Sequence, residues 1–520
     1  MLKPDFLSFE NPILPGFYPD PSICRAGEDY YLVTSSFAFF PGVPIFHSRD
    51  LVHWEQIGHV LDRPSQLELD GVEHSQGIYA PTIRYHDGKF YVVTTNVTRG
   101  GNFIVTADKP EGPWSDPYWL TDAPGIDPSL FFDDDGRCYL VGTWEVPEGP
   151  AYNGDNEIWM RELDLETMTL KGERYGLWRG ALKHAIWPEG PHIYKKDGYY
   201  YLMIAEGGTD FHHSVTIARS RNITGPYEGC PSNPILTHRH LGRKYPIVNV
   251  GHGDLVETQN GEWWMVLLAS RPYGGYYRNL GRETFLVPVI WEDGWPVVSP
   301  GTGKVEFSYP RPNLPSWEIE PPASVDHFDK DKLDPCWMFL RTPREDFYSL
   351  TERPGYLRLR VRAPRLTELK QPSLVCRRQQ HMSFTARTVM EYTPGQGESA
   401  GMVLLQSNRY HYRMEYGLED GRNVLRLVQC KDGIETVIQA VPCSSGRLEM
   451  IITAQEQDYN FYYNDGKGRK TLAEKVDGRI LSTDVAGGFV GTTIGLYASG
   501  NGRESGNFAD FDLFEYRTGV

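Results

Sequence analysis

Several features that would point to other classes of protein are missing from this 520-residue chain. Its seven cysteines, an odd number, never form a Cys-X-X-Cys pair, so neither a disulfide framework nor a zinc site is expected. Basic residues are outnumbered, because 52 Lys and Arg against 68 Asp and Glu give a formal net charge of −16. Nucleic acids and anionic membranes both require a basic face, so we expect neither as a partner.

Long apolar segments are also missing. The longest apolar stretch, Trp263 to Ala269, is far too short to cross a bilayer. The N-terminal residues MLKPDFLSFENP contain no apolar core of a signal peptide. Scattered cysteines suit a reducing compartment, and together these features predict a cytoplasmic protein. There is no P-loop, no GxSxG elbow and no Rossmann fingerprint, which argues against the common nucleotide-binding and serine-hydrolase classes.

Aromatic and turn-forming residues, in contrast, are abundant. The chain has 31 Tyr, 23 Phe and 13 Trp, together with 53 Gly and 38 Pro. So many turn formers favour short strands over long helices. The chain is also longer than one hydrophobic core usually spans. We therefore expect a turn-rich β protein of two domains.

A self-similar unit recurs five times in the first three hundred residues. Each copy has a small or acidic residue, then Pro or Gly, a polar residue and an aliphatic residue, followed by a hairpin of aromatic and β-branched residues. Most copies contain a turn dipeptide such as Asp87-Gly88 or Asp197-Gly198. The copies span residues 20–36, 80–95, 127–143, 190–205 and 251–269. Five such units predict a five-bladed β-propeller with four-stranded blades around a central channel.

A proline-rich segment separates the repeats from a second region. Residues 309–322 contain five prolines, which is typical of a stiff linker. Beyond Asp326 the chain shows alternating strands without a repeat, for example at 356–364, 410–418 and 448–454. We predict an all-β protein with a propeller catalytic domain over residues 1–308, a linker over 309–325 and an antiparallel β-sandwich over 326–520.

Three acidic residues stand at the same place in three copies of the repeat. The innermost strand of a propeller blade starts at the channel, so the residues at its mouth point into a shared pocket. Copies one, three and four have Asp20, Asp127 and Glu189 there. One Asp before Pro is explained by a hydrogen bond at a turn, but three carboxyl groups held close together are costly unless they are used. An acid and a base for glycoside hydrolysis fit such a pocket.

Six segments, in order along the chain, resemble the family 43 glycoside hydrolases. They are YPDPS at 18–22, GIYAPTIRYHDGKFYVVTTN at 77–96, IDPSLFFDDDG at 126–136, WPEGPHIYKKDGYYYLMIAEGGT at 187–209, VGHGDLVE at 250–257 and LGRETFLVP at 280–288. The second region, through WMFLRTP at 337–343 and FADFDLFEY at 508–516, resembles the β-sandwich of the two-domain β-xylosidase and α-L-arabinofuranosidase branch. The resemblance implies an inverting mechanism. In it Asp20 is the general base, Glu189 the general acid, and Asp127 orients the acid and adjusts its pKa.

The resemblance also implies contacts with the sugar. Arg282 matches the arginine that holds sugar hydroxyls in the family, although a structural salt bridge with Glu283 is an alternative. Phe37, Tyr79 and Thr209 match positions in the walls of the sugar subsite, where core packing would explain a lone aromatic residue equally well. Tyr79 departs from the family pattern, since many xylosidase-type relatives have Trp there.

His252 matches the channel histidine near which relatives hold calcium. On sequence alone, a lone His in a strand is also explained as a hydrogen-bonded core residue. No cofactor is otherwise implied, so a calcium ion in the propeller channel is the only metal we consider. The histidines at 212–213 and 238–240 lack metal-ligand spacing, so we expect them to be polar residues in loops. The acidic run at 133–135 predicts a hairpin turn.

The predicted function is exo-acting, inverting release of terminal β-D-xylose from xylo-oligosaccharides, accompanied by α-L-arabinofuranosidase activity. The alternative is an enzyme that is primarily an α-L-arabinofuranosidase and acts on arabinose-substituted oligosaccharides. A retaining fructan hydrolase or invertase would begin with NDPNG rather than YPDPS, and a non-catalytic sugar-binding propeller would be expected to have lost one of the three acids. Assembly into a homo-oligomer is left open.

Overall fold

The computed structural model describes residues 8–182 and 186–519. Within them, five sheets of four or five strands are followed by two larger sheets of eight and six strands. The predicted all-β fold, a five-bladed propeller followed by a β-sandwich, is confirmed. No helix among these residues has the length and hydrophobicity needed to cross a membrane.

The repeat copies form the inner hairpins of the blades. The chain enters through β1 (Ser8–Glu10). Blade 1 follows with β2 (Ser22–Ala26), β3 (Asp29–Val33), β5 (Gly42–Ser48) and β6 (Glu55–Leu61), and the short β4 (Phe39–Phe40) lies between β3 and β5. Blade 2 has β7 (Thr82–His86), β8 (Lys89–Asn96), β9 (Gly101–Ala107) and β10 (Tyr118–Trp119). Blade 3 has β11 (Ile126–Phe132), β12 (Cys138–Glu145), β13 (Asn156–Asp164) and β14 (Thr169–Trp178).

The last two blades follow the same pattern. Blade 4 has β15 (Glu189–Lys196), β16 (Tyr199–Glu206), β17 (Ser214–Ser220), β18 (Glu228–Gly229) and the added β19 (Leu236–Thr237). Blade 5 has β20 (Val248–Glu257), β21 (Trp263–Ser270), β22 (Glu283–Glu292) and β23 (Trp295–Val298). The turn dipeptides adopt the left-handed backbone that tight hairpins need, with φ of 48° at Asp87 and 80° at Gly88. The repeat in the sequence is therefore a repeat of hairpins.

After the blades, β24 (Ser308–Pro310) pairs with β1, and the chain passes into the sandwich. The sandwich contains β25 (Val325–Asp326), β26 (Phe339–Leu340), β27 (Tyr348–Ser349), β28 (Leu357–Arg360), β29 (Ser373–Arg378), β30 (Ser383–Glu391), β31 (Ser399–Ser407), β32 (Tyr410–Glu419), β33 (Arg422–Lys431), β34 (Ile434–Pro442), β35 (Arg447–Gln455), β36 (Asp458–Asn464), β37 (Arg469–Asp477), a 3-10 turn (Gly478–Leu481), α1 (Thr483–Ala486), β38 (Thr493–Ser499) and β39 (Phe508–Thr518). One sheet has the order β27-β28-β39-β30-β35-β36-β37, with β25 beside β39, and the other has β29-β38-β31-β32-β33-β34.

The two domains share one continuous hydrophobic core. Phe39 and Phe40 of β4 pair with Leu340 and Phe339 of β26, so a strand pair crosses the interface. Buried Arg341 donates from Nε to the carbonyl oxygen of Val72 at 2.8 Å. A shared core of this kind fixes the sandwich on the propeller and lets it place residues at the channel. The boundaries predicted at 309–325 stay predictions.

A buried carboxylate ties four blades together around the channel. Asp254 of blade 5 accepts hydrogen bonds from Ser22 Oγ at 2.7 Å, Arg84 Nη1 at 2.8 Å and Tyr194 Oη at 2.6 Å. These partners belong to blades 1, 2 and 4. Burial alone would raise the pKa of Asp254, but its paired cation and donors hold the pKa well below the usual range. The network fixes the inner strands on which the site is built.

Candidate active site

The five equivalent repeat positions meet in one cavity. Asp20, Ala80, Asp127, Glu189 and His252, one from each copy, all line a cavity of about 570 Å³. Four of them lie within two residues of the start of an inner strand, and His252 is the fifth residue of β20, so all five are near the end of the blades at which the channel opens. The structure therefore brings the three predicted carboxyl groups together.

Local backbone irregularities aim these side chains. The φ angle is 55° at Asp20, 53° at Asp127 and 48° at His252. This is the left-handed backbone conformation, which residues other than glycine rarely adopt. The register also shifts within the first residues of β11, β15 and β20, which marks β-bulges. Bulges redirect side chains and are common beside active sites.

Asp20 is held as a carboxylate. Arg282 Nη1 donates to its Oδ1 at 2.7 Å and Ser35 Oγ donates to its Oδ2 at 2.6 Å. Burial by itself raises the pKa, but the charges of Arg282 and His252 and the Ser35 hydrogen bond outweigh it. The pKa of Asp20 therefore lies below its ordinary value. An ionised carboxylate at neutral pH is what a general base requires.

Glu189 has the opposite electrostatic environment. Burial raises the pKa of Glu189 well above its ordinary value, and the negative charges of Asp127 and Asp20 raise it further. The positive charge of Arg282 opposes them without cancelling them. Glu189 therefore keeps its proton near neutral pH, as a general acid must.

Asp127 lies beside the backbone that carries Glu189. Its Oδ2 accepts a hydrogen bond from the backbone N–H of Gly190 at 3.1 Å. Burial, joined by the charge of Asp20, raises the pKa of Asp127 to about 6, against the lowering effects of His252 and Gly190. At neutral pH Asp127 is thus mostly an anion, and it is hydrogen-bonded to the residue that follows Glu189.

Arg282 connects Asp20 with Thr209. Besides Asp20, its Nη1 donates to Thr209 Oγ1 at 3.0 Å. The alternative of a structural pair between Arg282 and Glu283 is wrong. Glu283 instead accepts from Arg271 Nε at 2.8 Å and from the backbone N–H of Gly16 at 3.0 Å.

An aromatic cluster forms another wall, and one member comes from the sandwich. The rings of Phe37 and Tyr79 lie 5.7 Å apart. Phe489, which follows α1, stacks on Phe37 at 6.2 Å and meets Tyr79 edge-on at 5.9 Å. The Arg282 guanidinium is 5.6 Å from the Phe489 ring centre. Phe37 and Tyr79 are therefore both packed and cavity-lining, so the two explanations offered for them hold together.

Sequence analysis missed the segment that carries Phe489. Residues of the segment 483–489 line the cavity. Hydrogen bonds join this segment to the propeller. The backbone N–H of Phe489 donates to Ser75 Oγ at 2.8 Å, and Arg278 Nη2 donates to Asp484 Oδ1 at 2.8 Å. No repeat and no quoted motif covers this segment. The dipeptide Gly487-Gly488 is the only local signal, and it indicates a turn without indicating a site.

His252, the residue predicted to lie near calcium, has a carboxylate close by. Its Nδ1 lies 3.9 Å from Asp20 Oδ1. Calcium prefers six to eight oxygen ligands, and in residues 8–182 and 186–519 no three His, Cys, Asp or Glu side chains are grouped as metal ligands. A calcium ion near His252 therefore stays a prediction.

Two of the histidines predicted as polar loop residues, His213 and His238, lie in loops and are buried. His213 Nδ1 donates to the carbonyl oxygen of Asn249 at 2.9 Å, and His238 Nδ1 donates to that of Ile247 at 2.7 Å. Burial lowers the pKa of His213 to about 4. The backbone carbonyl groups thus satisfy the two buried rings inside the fold, and neither ring lies at a metal site formed by residues that the structure describes.

A β-propeller whose channel opens into a pocket with a protonated carboxyl group, Glu189, and two ionised ones, Asp20 and Asp127, is typical of a glycosidase. Comparison with known families gives the particular one. "Glycosyl hydrolases family 43" matches residues 9–296, and "Beta xylosidase C-terminal Concanavalin A-like domain" matches residues 325–517. The chain belongs to glycoside hydrolase family 43.

Individual relatives match over nearly their whole lengths. A xylosidase/arabinosidase of Butyrivibrio fibrisolvens is 52% identical, with 97% of this chain and 98% of the relative covered. A non-reducing end α-L-arabinofuranosidase of Bacteroides ovatus is 42% identical, with 98% and 95% covered. The solved structure of a xylan β-1,4-xylosidase from Bacillus halodurans C-125 superposes with a TM-score of 0.93 at 38% identity, with 98% of this chain and 100% of that chain covered.

Proposed function

We propose that this enzyme releases terminal β-D-xylose from xylo-oligosaccharides and also removes terminal α-L-arabinofuranose, with inversion at the anomeric carbon. The observation that carries the proposal is the opposite electrostatic setting of Asp20 and Glu189 in one cavity. Two titratable groups with divergent pKa values identify an acid and a base. The names of the relatives support both sugars.

The reaction follows from these roles. A water molecule attacks the anomeric carbon while Asp20 accepts one of its protons. As the bond to the leaving oxygen breaks, Glu189 gives its proton to that oxygen. Inverting enzymes keep the two carboxyl groups roughly 6.5–9.5 Å apart, so that the water fits between base and sugar. Asp20 and Glu189 begin blades 1 and 4, which are not neighbours in a five-bladed ring, and this supports such a separation.

Asp127 and Arg282 complete the proposed machinery. Asp127 holds the backbone at Gly190 and supplies a negative charge that keeps Glu189 protonated. Arg282 holds Asp20 ionised, and its guanidinium borders the sugar subsite with Thr209. Once the neutral sugar is bound, Arg282 remains a donor for its hydroxyl groups.

The exo mode of action is supported by the segment at 483–489. It adds Phe489 to Phe37 and Tyr79 and so closes one side of the cavity that the propeller alone would leave open. A closed pocket accepts a chain end rather than an internal unit. Digestion of long xylan should therefore yield free pentose, whereas internal oligosaccharides with little pentose would contradict the exo mode.

One experiment tests the reaction and the preferred sugar. We would compare hydrolysis of p-nitrophenyl β-D-xylopyranoside and α-L-arabinofuranoside, with the first-formed anomer followed by NMR. Inversion releases α-xylose from the β-xyloside, and first-formed β-xylose would overturn the assignment. A higher kcat/KM on the arabinofuranoside would favour the second candidate, an enzyme that is mainly an arabinofuranosidase, which the Bacteroides ovatus relative also favours.

We also propose that the enzyme works in the cytoplasm. All seven cysteines are free and six of them are buried, as suits a reducing compartment. Fractionation of the producing cells would test this proposal. Activity found only outside the cells would contradict it.

A further inference from the structure

An exposed tryptophan lies in the active-site cavity and has no role in the mechanism above. Trp187 is 37% exposed, which makes it the most exposed of the four aromatic residues that line the cavity, whereas Phe37 is 1% exposed. Folding normally buries so large an apolar ring, and exposed Trp is enriched where proteins bind partners. Exposure within the active-site cavity, and not exposure alone, therefore points to a ligand for Trp187.

The ring of Trp187 is held rigidly by two glycine-containing loops. A Cβ atom on Gly208 would come within 2.7 Å of its ring, and one on Gly154 within 3.0 Å. Both glycines have positive φ, 72° and 82°. The backbone N–H of Trp187 also donates to the carbonyl oxygen of Gly154 at 2.7 Å. Since its loops from blades 3 and 4 pack on the ring, little side-chain entropy would be lost on binding a ligand.

Trp187 also stands next to the proposed acid. It precedes Glu189 by two residues, and the intervening Pro188 is anchored because its carbonyl oxygen accepts a hydrogen bond from Thr143 Oγ1 at 2.5 Å. Glu189 must reach the oxygen that joins the terminal sugar to the rest of the substrate. In an exo-acting pocket the terminal sugar occupies the closed inner end, and the remaining chain leaves through the mouth. A rigid, exposed ring beside the acid therefore faces the leaving part of the substrate.

We propose that Trp187 is the platform of the leaving-group subsite. Its indole binds the apolar C–H face of the sugar ring released after cleavage, a neutral pyranose or furanose. This inference rests on the proposed function, because it requires a glycosidic substrate cut at the chain end. Trp187 contributes binding of the leaving sugar and no proton transfer.

The test compares two substrates that differ only in the leaving group. Xylobiose leaves a sugar, whereas β-D-xylopyranosyl fluoride leaves fluoride and cannot occupy the subsite. We expect Trp187→Ala to lower kcat/KM on xylobiose by about three- to tenfold, the size of one aromatic contact, and to leave kcat/KM on the fluoride unchanged. Trp187→Phe should restore most of the loss. Trp119→Ala is the matched control, since Trp119 is 41% exposed and lies outside the cavity lining.

A second readout does not depend on turnover. In the Asp20→Asn background, calorimetry should show that Trp187→Ala weakens binding of xylobiose and leaves binding of xylose unchanged. Equal losses on both substrates, or no loss on xylobiose, would overturn the inference, because Trp187 would then support the fold or the acid instead. Failure of the proposed function appears differently, as a wild-type enzyme that hydrolyses neither xylosides nor arabinofuranosides. If the wild-type enzyme prefers arabinose, the same comparison is made with an arabinofuranosyl disaccharide and arabinofuranosyl fluoride.

Discussion

The active-site cavity has two kinds of wall, and the chain makes them in different ways. The propeller contributes one residue from each of five equivalent positions, and three of the five are acidic. The sandwich contributes one segment, residues 483–489, and the large side chain of this segment in the cavity lining is that of Phe489. The propeller wall therefore provides the charged groups together with the aromatic residues Phe37 and Tyr79, whereas the sandwich wall adds shape alone through Phe489.

This difference separates what each wall is expected to do. Changes to the propeller wall should alter proton transfer, so their effects should depend on pH or on the leaving group. Changes to the sandwich wall should alter how well the sugar fits and should appear mainly in KM. The four substitutions below test that division, in order of decreasing expected effect.

Removing the base should have the largest effect. Asp20→Asn keeps the size of the side chain but cannot accept the proton of water. Loss of general base catalysis predicts a fall in kcat of about 10²- to 10⁴-fold, equal for xylobiose and for aryl xylosides, measured by initial rates. Asp432→Asn, which removes an exposed partner of Arg409 on the sandwich, should leave kcat unchanged. A loss confined to one leaving group would contradict the role of Asp20.

How far the sequence could predict each wall follows from the same contrast. Repeated hairpins give the blade number, and equivalent positions in them give Asp20, Asp127 and Glu189 without any knowledge of contacts. Phe489 depends instead on a strand pair and buried side chains that join the domains, which local sequence does not encode. The role of Trp187 likewise depends on two loops that meet only in the folded chain.

Removing the acid should give a loss that depends on the leaving group. Glu189→Gln cannot donate a proton, so hydrolysis of xylobiose should fall by about 10²- to 10⁴-fold. A p-nitrophenolate leaves with little help, so the aryl xyloside should lose much less. The ratio of the two kcat/KM values in mutant and wild type is the measurement. Similar losses on both substrates would exclude Glu189 as the acid.

Neutralising Asp127 should change the pH profile. Burial is the larger cause of the raised pKa of Glu189 and Asp127 is the next, so Asp127→Asn removes only part of the shift. A lower pKa means that the acid loses its proton at lower pH, so the alkaline limb of kcat/KM should move to lower pH, and each unit of that shift corresponds to about 1.4 kcal/mol of lost interaction between the two carboxyl groups. Because Glu189 and Asp127 titrate together, the pH profile of the wild type reports an apparent pKa of the pair and not the pKa of Glu189 alone. A uniform loss at every pH would instead give Asp127 a purely positioning role.

The smallest effect is expected from the sandwich wall. Asp484 accepts hydrogen bonds from Arg278 Nη2 at 2.8 Å and from the backbone N–H of Arg278 at 2.7 Å. Arg278 also donates to Asp210 Oδ1 at 3.0 Å, so it joins the segment that carries Phe489 to a propeller loop. Asp484→Asn keeps the size but weakens the charge-assisted pair. We expect KM for xylobiose to rise by about threefold, within the range of one aromatic contact, with kcat and the pH profile unchanged.

The double mutant decides whether Asp484 acts through Phe489. If the ion pair serves to hold the ring against Phe37 and Tyr79, Asp484→Asn should add almost nothing to the KM of Phe489→Ala, since the ring it positions is already gone. If the two residues acted independently, the fold-increase in KM of the double mutant would be the product of the two single fold-increases, as expected for residues that share no partner. A multiplied effect, or an altered pH profile in Asp484→Asn, would mean that the sandwich wall also takes part in the electrostatics of the acid and the base. The division between charge from the propeller and shape from the sandwich would then be wrong.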